Sequence, residues 1–228
     1  MLGFSLPSLD DSAVLNESFS ATVSHQVKLS RGHRWGKRLF DVVVSGLVIV
    51  TLLIWIVPLI GLFIRLTSPG PMLFRQVRTG RNGRPFRCLK FRTMRFDKQA
   101  EFRQATKNDS RITPIGRFLR KTNLDELPQV FNVLLGDMSI VGPRPHPVQL
   151  DAQHWYTLPS YASRYAVKPG ITGLAQVRGC RGETANLIDM EHRVRFDRFY
   201  ISKQSPWLDL SICWWTAFKM LTGDKKAW

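Results

Sequence analysis

Val42 to Ile64 reads VVVSGLVIVTLLIWIVPLIGLFI, 23 consecutive residues without a charge. As a straight helix this run would be about 34 Å long, enough for a bilayer core of roughly 30 Å. A polar stretch of 30 residues precedes it and no small-residue cleavage site follows, which argues against a secretory signal. Arg31, Arg34, Lys37 and Arg38 lie before the run, and Arg65, Arg75, Arg78, Arg81, Arg84 and Arg87 after it. Basic residues favour the cytoplasmic side, so both ends are drawn the same way. One straight span cannot satisfy both flanks, whereas a helix that enters, bends and returns can. Pro58 is the candidate bend, since it removes a backbone donor and crowds the preceding turn. Ser45, Gly46 and Gly61 allow close approach to other helices. A straight span with a tolerated proline remains the alternative.

The rest of the 228 residues are strongly basic. The net charge is +16; the first 30 residues carry −2, leaving +18 on residues 31–228. Such a balance calls for an anionic partner: nucleic acid, anionic lipid or a phosphorylated substrate. Cys88, Cys180 and Cys213 are odd in number and lack a CxxC spacing, which fits a reduced compartment better than a disulfide framework or a zinc site.

Three regions follow. Residues 1–30 are Ser-rich without a sustained period and read as a disordered N-terminal arm. Residues 31–66 hold the basic flank and the re-entrant membrane helix. Residues 67–228 form a small cytoplasmic catalytic domain. Within it, Leu73–Thr79 and Phe86–Phe91 alternate around Gly80-Arg81-Asn82-Gly83, a β-hairpin signal. Residues 96–106 read as a polar helix. Ile112, Ile115, Phe118 and Leu119 recur at helical spacing among basic residues. Asn123 is placed to cap a following helix, with Glu126 in capping-box position and Leu127, Val130, Phe131, Leu134 and Leu135 on its apolar face. Lys168–Gly173 reads as a turn, and residues 186–202 and 206–221 as two helices. In the last, Trp207, Trp214 and Trp215 beside Lys203, Lys219, Lys225 and Lys226 suit an interfacial helix, with a core helix as the alternative. The fold class expected is α/β, mostly helical: a re-entrant membrane helix, a catalytic domain with a β-hairpin, and amphipathic interfacial helices.

Asp125 and Glu126 are the candidate chemistry. Neighbouring helical residues point about 100° apart, so two such acids serve different roles at one site rather than facing each other. A helix N-terminus keeps Asp125 ionised, as a nucleophile or metal ligand requires; simple capping is the alternative. Arg144 lies in Pro143-Arg144-Pro145, where two prolines fix the backbone behind a fork of donors suited to phosphate. A rigid turn with a solvated arginine would show the same pattern. Lys90 and Arg120 are further bases that, taken singly, are as readily solvated charges.

Taken together, these stretches closely resemble the bacterial sugar transferase family, monotopic polyprenyl-phosphate hexose-1-phosphate transferases. The matching motifs are Lys90-Phe91-Arg92-Thr93-Met94, Asn108-Asp109-Ser110-Arg111-Ile112-Thr113, Phe118-Leu119-Arg120-Lys121, Leu124-Asp125-Glu126-Leu127-Pro128-Gln129, Gly136-Asp137-Met138-Ser139, Gly142-Pro143-Arg144-Pro145 and Lys168-Pro169-Gly170-Ile171-Thr172-Gly173. The resemblance implies a two-step reaction. An aspartate, here Asp125, attacks the β-phosphate of a UDP-sugar, UMP leaves, and undecaprenyl phosphate then takes the sugar-1-phosphate. It implies Mg2+ held with Asp125 and Glu126, Glu126 assisting the proton or the metal, and phosphate-facing bases at Lys90, Arg120 and Arg144. Gly179-Cys180-Arg181-Gly182-Glu183-Thr184, with Arg144-Pro145-His146, looks like the members that load glucose-1-phosphate, which adds Arg181 to the substrate-binding set. Galactose-1-phosphate or an N-acetylated sugar is the alternative. Implied too are a place on the cytoplasmic leaflet of the bacterial inner membrane, a role at the start of exopolysaccharide assembly and no nucleic-acid partner, and a homo-oligomer is compatible with the sequence. Many relatives carry further membrane helices upstream, so a minimal form is expected here. The rival classes on charge alone are a membrane-tethered nucleic-acid-binding protein and a non-catalytic scaffold.

Overall fold

The computed structural model describes residues 31–96, 105, 106, 109–180, 182 and 186–222. The expected disordered arm, most of the polar helix at 96–106, Arg181, Lys225 and Lys226 lie outside the described residues.

The apolar run forms one long helical element. Helix α1 (Arg31–Val48) passes through a π-helical segment, Ile49–Leu53, into α2 (Ile54–Thr67). The Ile54 N–H reaches the Ile49 carbonyl, which marks the change of ladder spacing. Pro58 sits inside α2, where it cannot donate to the Ile54 carbonyl and crowds it. A widened turn directly upstream is a known accommodation of such an obstacle. Trp35–Thr67 is long and apolar enough to cross a membrane. Around its middle Leu47, Val50, Ile54, Trp55 and Leu59 are exposed.

Both ends of this element dock on the same domain. At the start, Lys37 Nζ bonds Asp209 Oδ2 at 2.7 Å, and Arg38 donates to the carbonyls of Val133 and Leu134, each at 2.7 Å. One turn on, Asp41 Oδ1 accepts from Ser139 Oγ and from the Ile140 N–H, both at 2.9 Å. At the far end Ile60 and Ile64 pack into a core with Phe91 and Leu119.

The hairpin is as expected. Strands β1 (Leu73–Thr79) and β2 (Pro85–Phe91) pair antiparallel, Leu73 opposite Phe91 and Thr79 opposite Pro85. The turn between them places Asn82 at φ 57° and Gly83 at φ 73°, the left-handed region that this pair tolerates. Helix α3 (Pro114–Thr122) starts on Thr113, whose Oγ1 accepts from the Gly116 N–H at 3.0 Å.

Asn123 departs from its expected role. It takes φ 58° and closes the C-terminus of α3 instead of opening the next helix. Leu124–Glu126 forms a 3-10 turn, and α4 (Gln129–Leu135) starts after Pro128. Pro128 has no N–H to give the Leu124 carbonyl and would crowd it, so a helix from Leu124 would lose a bond there, whereas proline is accommodated without loss just before a helix that starts at Gln129. No capping box forms: Asn123 makes no side-chain cap bond.

Lys168–Gly173 also departs from its reading as a turn. Gly170–Thr172 is strand β4, parallel to β3 (Ser139–Val141), with Ser139 opposite Gly170. A Cβ at Gly170 would overlap the Gly142 backbone, so glycines permit this close approach. The remainder is helical: α5 (Val148–His154), a 3-10 stretch (Tyr161–Ala166), α6 (Leu174–Val177), α7 (Leu187–Lys203) and α8 (Pro206–Thr222). Helix α8 buries Ile212 but leaves Trp207, Leu210, Trp214, Trp215 and Phe218 exposed, so most of its large apolar side chains lie outside the core. The described chain is thus mostly helical with two small two-stranded sheets.

Candidate active site

The 3-10 turn presents the acidic pair to a cleft of about 1260 Å³ lined also by Lys90, Arg120 and Arg144. Five of the residues singled out in the sequence therefore converge, from β2, α3, the turn and the loop after β3. The turn sets their different surroundings. Glu126 is held by bases on both oxygens: Lys90 Nζ lies 2.6 Å from Oε1, Arg144 Nη1 2.9 Å from Oε2, and Arg144 Nη2 bonds Oε1 as well. Burial alone would raise the Glu126 carboxyl; Arg144 and Lys90 outweigh it and hold it well below the carboxylate range.

Asp125 has a different environment. It is buried, and its only ion-pair contact among the described residues is Lys90 Nζ at 4.0 Å. Burial pushes its carboxyl up against the pull of Lys90, with the neighbouring Glu126 adding to the rise. This differs from the expectation that a helix N-terminus keeps Asp125 ionised: the residue sits in the 3-10 turn before α4, and the pull toward the carboxylate a nucleophile needs comes from Lys90 first, then Arg120 and Arg144. Arg120 approaches from α3, its Nε bonded to Thr93 Oγ1 at 2.9 Å. Burial lowers its guanidinium, and Asp125 is the charge that most opposes this.

The Pro-Arg-Pro loop is anchored through its carbonyls, because prolines offer no donors. Four consecutive carbonyls each accept a bond. Pro143 takes the Gly170 N–H at 2.9 Å, Arg144 takes Arg164 Nη2 at 2.9 Å, Pro145 takes Arg78 Nη1 at 2.6 Å and His146 takes the Thr79 N–H at 3.3 Å. The guanidinium of Arg144 is thus presented on a fixed backbone, as the prolines suggested.

Arg78, Arg164 and Arg193 belong to this region and were not singled out from the sequence as site residues. Arg164 is fully buried and bonds Asp197 Oδ2 through Nη2 at 2.8 Å. Its Nη1 contacts His146, whose ring is held neutral by burial and by the surrounding arginines, chiefly Arg164. Tyr161 donates to Asp151 Oδ1 at 2.7 Å and lies 2.7 Å from His146 Nδ1. One signal was available: on α7 the buried residues Met190, Arg193, Val194, Asp197 and Ile201 recur at helical spacing, so two charges lie in an inward stripe.

Among the described residues no group of three or more His, Cys, Asp or Glu side chains could hold a metal ion. Asp125 and Glu126 are the carboxylates at the cleft floor, and both Glu126 oxygens already face cations. Mg2+ is commonly bound by one or two carboxylates with substrate phosphates completing its shell, and the donor set fits that mode only.

Comparison with known proteins agrees with the motifs. A family model described as bacterial sugar transferase matches residues 32–223. The chain is 50% identical over 184 residues to a UDP-glucose:undecaprenyl-phosphate glucose-1-phosphate transferase of Klebsiella pneumoniae, covering 80% of this chain and 39% of the relative. Over 189 residues it is 47% identical to a protein of the same name from Caulobacter vibrioides, covering 82% of this chain and 70% of that one. An undecaprenyl-phosphate galactose phosphotransferase of Salmonella typhimurium is 38% identical over 245 residues, 96% of this chain and 49% of the relative. The chain thus spans well under half the length of the Klebsiella relative.

Proposed function

The chain belongs to the bacterial sugar transferase family, and from that premise we propose that it moves glucose-1-phosphate from UDP-glucose to undecaprenyl phosphate, the first step of exopolysaccharide assembly. The observation that carries this reading is the contrast within the acidic pair: Glu126 is bonded by two cations on both oxygens, while Asp125 is buried beside them with Lys90 at 4.0 Å as its ion-pair contact among the described residues.

In the first step an Asp125 Oδ attacks the β-phosphorus of the donor. The bond to the oxygen bridging the two phosphates breaks, and UMP leaves with that electron pair. A phosphate oxygen of undecaprenyl phosphate then attacks the same phosphorus. The aspartyl–phosphorus bond breaks, the Asp125 carboxylate is restored, and the product is undecaprenyl diphosphate glucose. Lys90, Arg120 and Arg144 balance the charge on the transferring group. Asp125 and Glu126 would hold Mg2+ together with the diphosphate, and the ion would neutralise part of the diphosphate charge. Two relatives named for glucose, at 47% and 50% identity, support glucose over the galactose of the 38% relative.

The membrane segment is proposed to be re-entrant with both flanks cytoplasmic. Two features support it: bases on both flanks, and docking of both ends on one catalytic domain through Lys37, Arg38 and Asp41 on one side and Ile60 and Ile64 on the other. A helix that bends back in this way would keep Asp125 near cytoplasmic headgroups, where a soluble nucleotide-sugar meets a lipid phosphate. The test is a panel of UDP-sugars with undecaprenyl phosphate and Mg2+, reading UMP release, beside intact-mass detection of a phosphosugar adduct. Asp125→Asn is expected to abolish both; near-normal turnover of that variant would remove Asp125 from the nucleophile role.

A further inference from the structure

Arg193 lies on the inward stripe of α7 and lines the same cleft as Asp125. Its contacts are weak for a buried cation. Nη1 meets Nε2 of His146, and Nη2 donates to the Gly182 carbonyl, both at 3.3 Å. Nε has no partner among the described residues. The acid nearest in sequence on the stripe, Asp197, is committed to Arg164 through Nη2 at 2.8 Å and Nε at 3.2 Å. His146 is neutral and supplies no counter-charge. Burial first, then the charges of Arg164 and Arg144, push the Arg193 guanidinium down to about 10, which leaves it protonated at neutral pH. Asp197 also attracts Arg193, yet it is the carboxylate bonded to Arg164, so among the described residues two buried cations share one anion, and such an excess of buried positive charge suits an anionic ligand.

A second residue lines the same cleft. Gln176 is on α6, which packs against α7. Its Nε2 donates to the Ile171 carbonyl at 3.0 Å, which fixes the amide and leaves Oε1 as a buried acceptor with no partner among the described residues. A cationic donor and an unused acceptor together suit an anion that carries a hydroxyl nearby.

We propose that Arg193, with Gln176 on the adjoining helix, binds the phosphate that leaves with the nucleotide, the guanidinium taking a phosphate oxygen and Gln176 Oε1 a ribose hydroxyl. This rests on the transferase reading and adds a division of labour to it. Lys90, Arg120 and Arg144 serve the phosphate that stays with the sugar; Arg193 serves the one that departs.

The test compares UMP with uridine by calorimetry on the purified full chain. In the unmodified protein UMP is expected to bind more tightly, and the difference is the share of the phosphate. Arg193→Gln should weaken UMP by about 10- to 100-fold, the range for one charge-assisted contact, with uridine unchanged. Arg193→Lys, which keeps the charge, should recover part of that and carries the test if the glutamine variant does not fold. In turnover, KM for UDP-glucose should rise and UMP inhibition weaken while KM for undecaprenyl phosphate stays put. Equal UMP binding by Arg193→Gln, an effect confined to the lipid acceptor, or no preference for UMP over uridine would each overturn the assignment. Binding of UMP through Arg193 without UMP release from any UDP-sugar would instead count against the transferase reading.

Discussion

Asp125→Asn and Glu126→Gln each remove one negative charge from adjacent residues, and they are expected to move the melting temperature in opposite directions. Glu126 bonds Lys90 at 2.6 Å and Arg144 at 2.9 Å. Removing one partner of a fully buried ion pair costs about 3–5 kcal/mol, because the other charge is left unpaired. Here the Lys90 and Arg144 side chains keep 16% and 27% of their exposure, which lets water take part of that load and lowers the figure to about 2–3 kcal/mol. For a chain of this length 1 kcal/mol is roughly 2–4 °C, so Glu126→Gln should melt roughly 5–10 °C lower. Asp125 is buried without equivalent partners, so its ionised form opposes folding, and a neutral isostere should melt higher. The pH dependence separates the two effects. The Asp125 carboxyl is raised, so its contribution is present below the usual carboxylate range and is lost as pH rises through the folded value. The gain from Asp125→Asn should therefore grow from mildly acidic to neutral pH. The Glu126 carboxyl is depressed, so its contribution is present above the usual range and is lost only as pH falls through the lower folded value. The deficit of Glu126→Gln should stay constant across the same interval. Thermal melts of both variants in one detergent, without substrate, decide it. A fall for Asp125→Asn as large as that for Glu126→Gln would refute the argument from burial.

Arg144→Ala should lower kcat/KM by about 30- to 150-fold, the loss of one charge-assisted contact of about 2–3 kcal/mol, with partial recovery in Arg144→Lys; full activity of the alanine variant would exclude it from the site. Gly116→Ala places a Cβ against the Thr93 carbonyl, so α3 must shift; the melting point should fall by the equivalent of about 1–3 kcal/mol, and Arg120, bonded to Thr93, should lose activity with it. Arg164→Lys cannot serve Asp197, His146 and the Arg144 carbonyl at once, so kcat should drop while uridine affinity is kept. With Cys88, Cys180 and Cys213 replaced, Gly36→Cys and Leu66→Cys are expected to resist an impermeant thiol reagent added outside intact cells; labelling of position 36 alone would show a true span.

The hairpin was legible because Asn82 and Gly83 carry their own backbone preference, and the apolar run because composition alone defines it. The convergence of Lys90, Arg120, Asp125, Glu126 and Arg144 followed from the ordered motifs, not from their charges, since each base singly reads as solvated. The start of α4 was misplaced because the capping pattern at Asn123 and Glu126 competes with Pro128, and the missing N–H of Pro128 decides the outcome. Strand β4 was hidden within a Pro-Gly turn signal; its pairing depends on Gly142, far off in sequence. Arg78, Arg164 and Arg193 were missed. Arg78 and Arg164 are buried through tertiary partners, the Pro145 carbonyl and Asp197, that no local pattern announces, and for Arg193 only the inward stripe of α7 gives a local signal.

The docking of both helix ends on one domain has a kinetic consequence. With the helix lodged in lipid as proposed, a centre tied at Lys37 and again at Ile64 would be unable to lift away from that sheet. On the proposed transferase reading, the two substrates would arrive in spaces of different dimension, the nucleotide-sugar through a volume and the lipid phosphate along a plane. The first encounter scales with molarity, whereas the second scales with the mole fraction of acceptor among its lipid neighbours. Diluting vesicles in buffer should leave the second step untouched, and adding inert phospholipid should slow it.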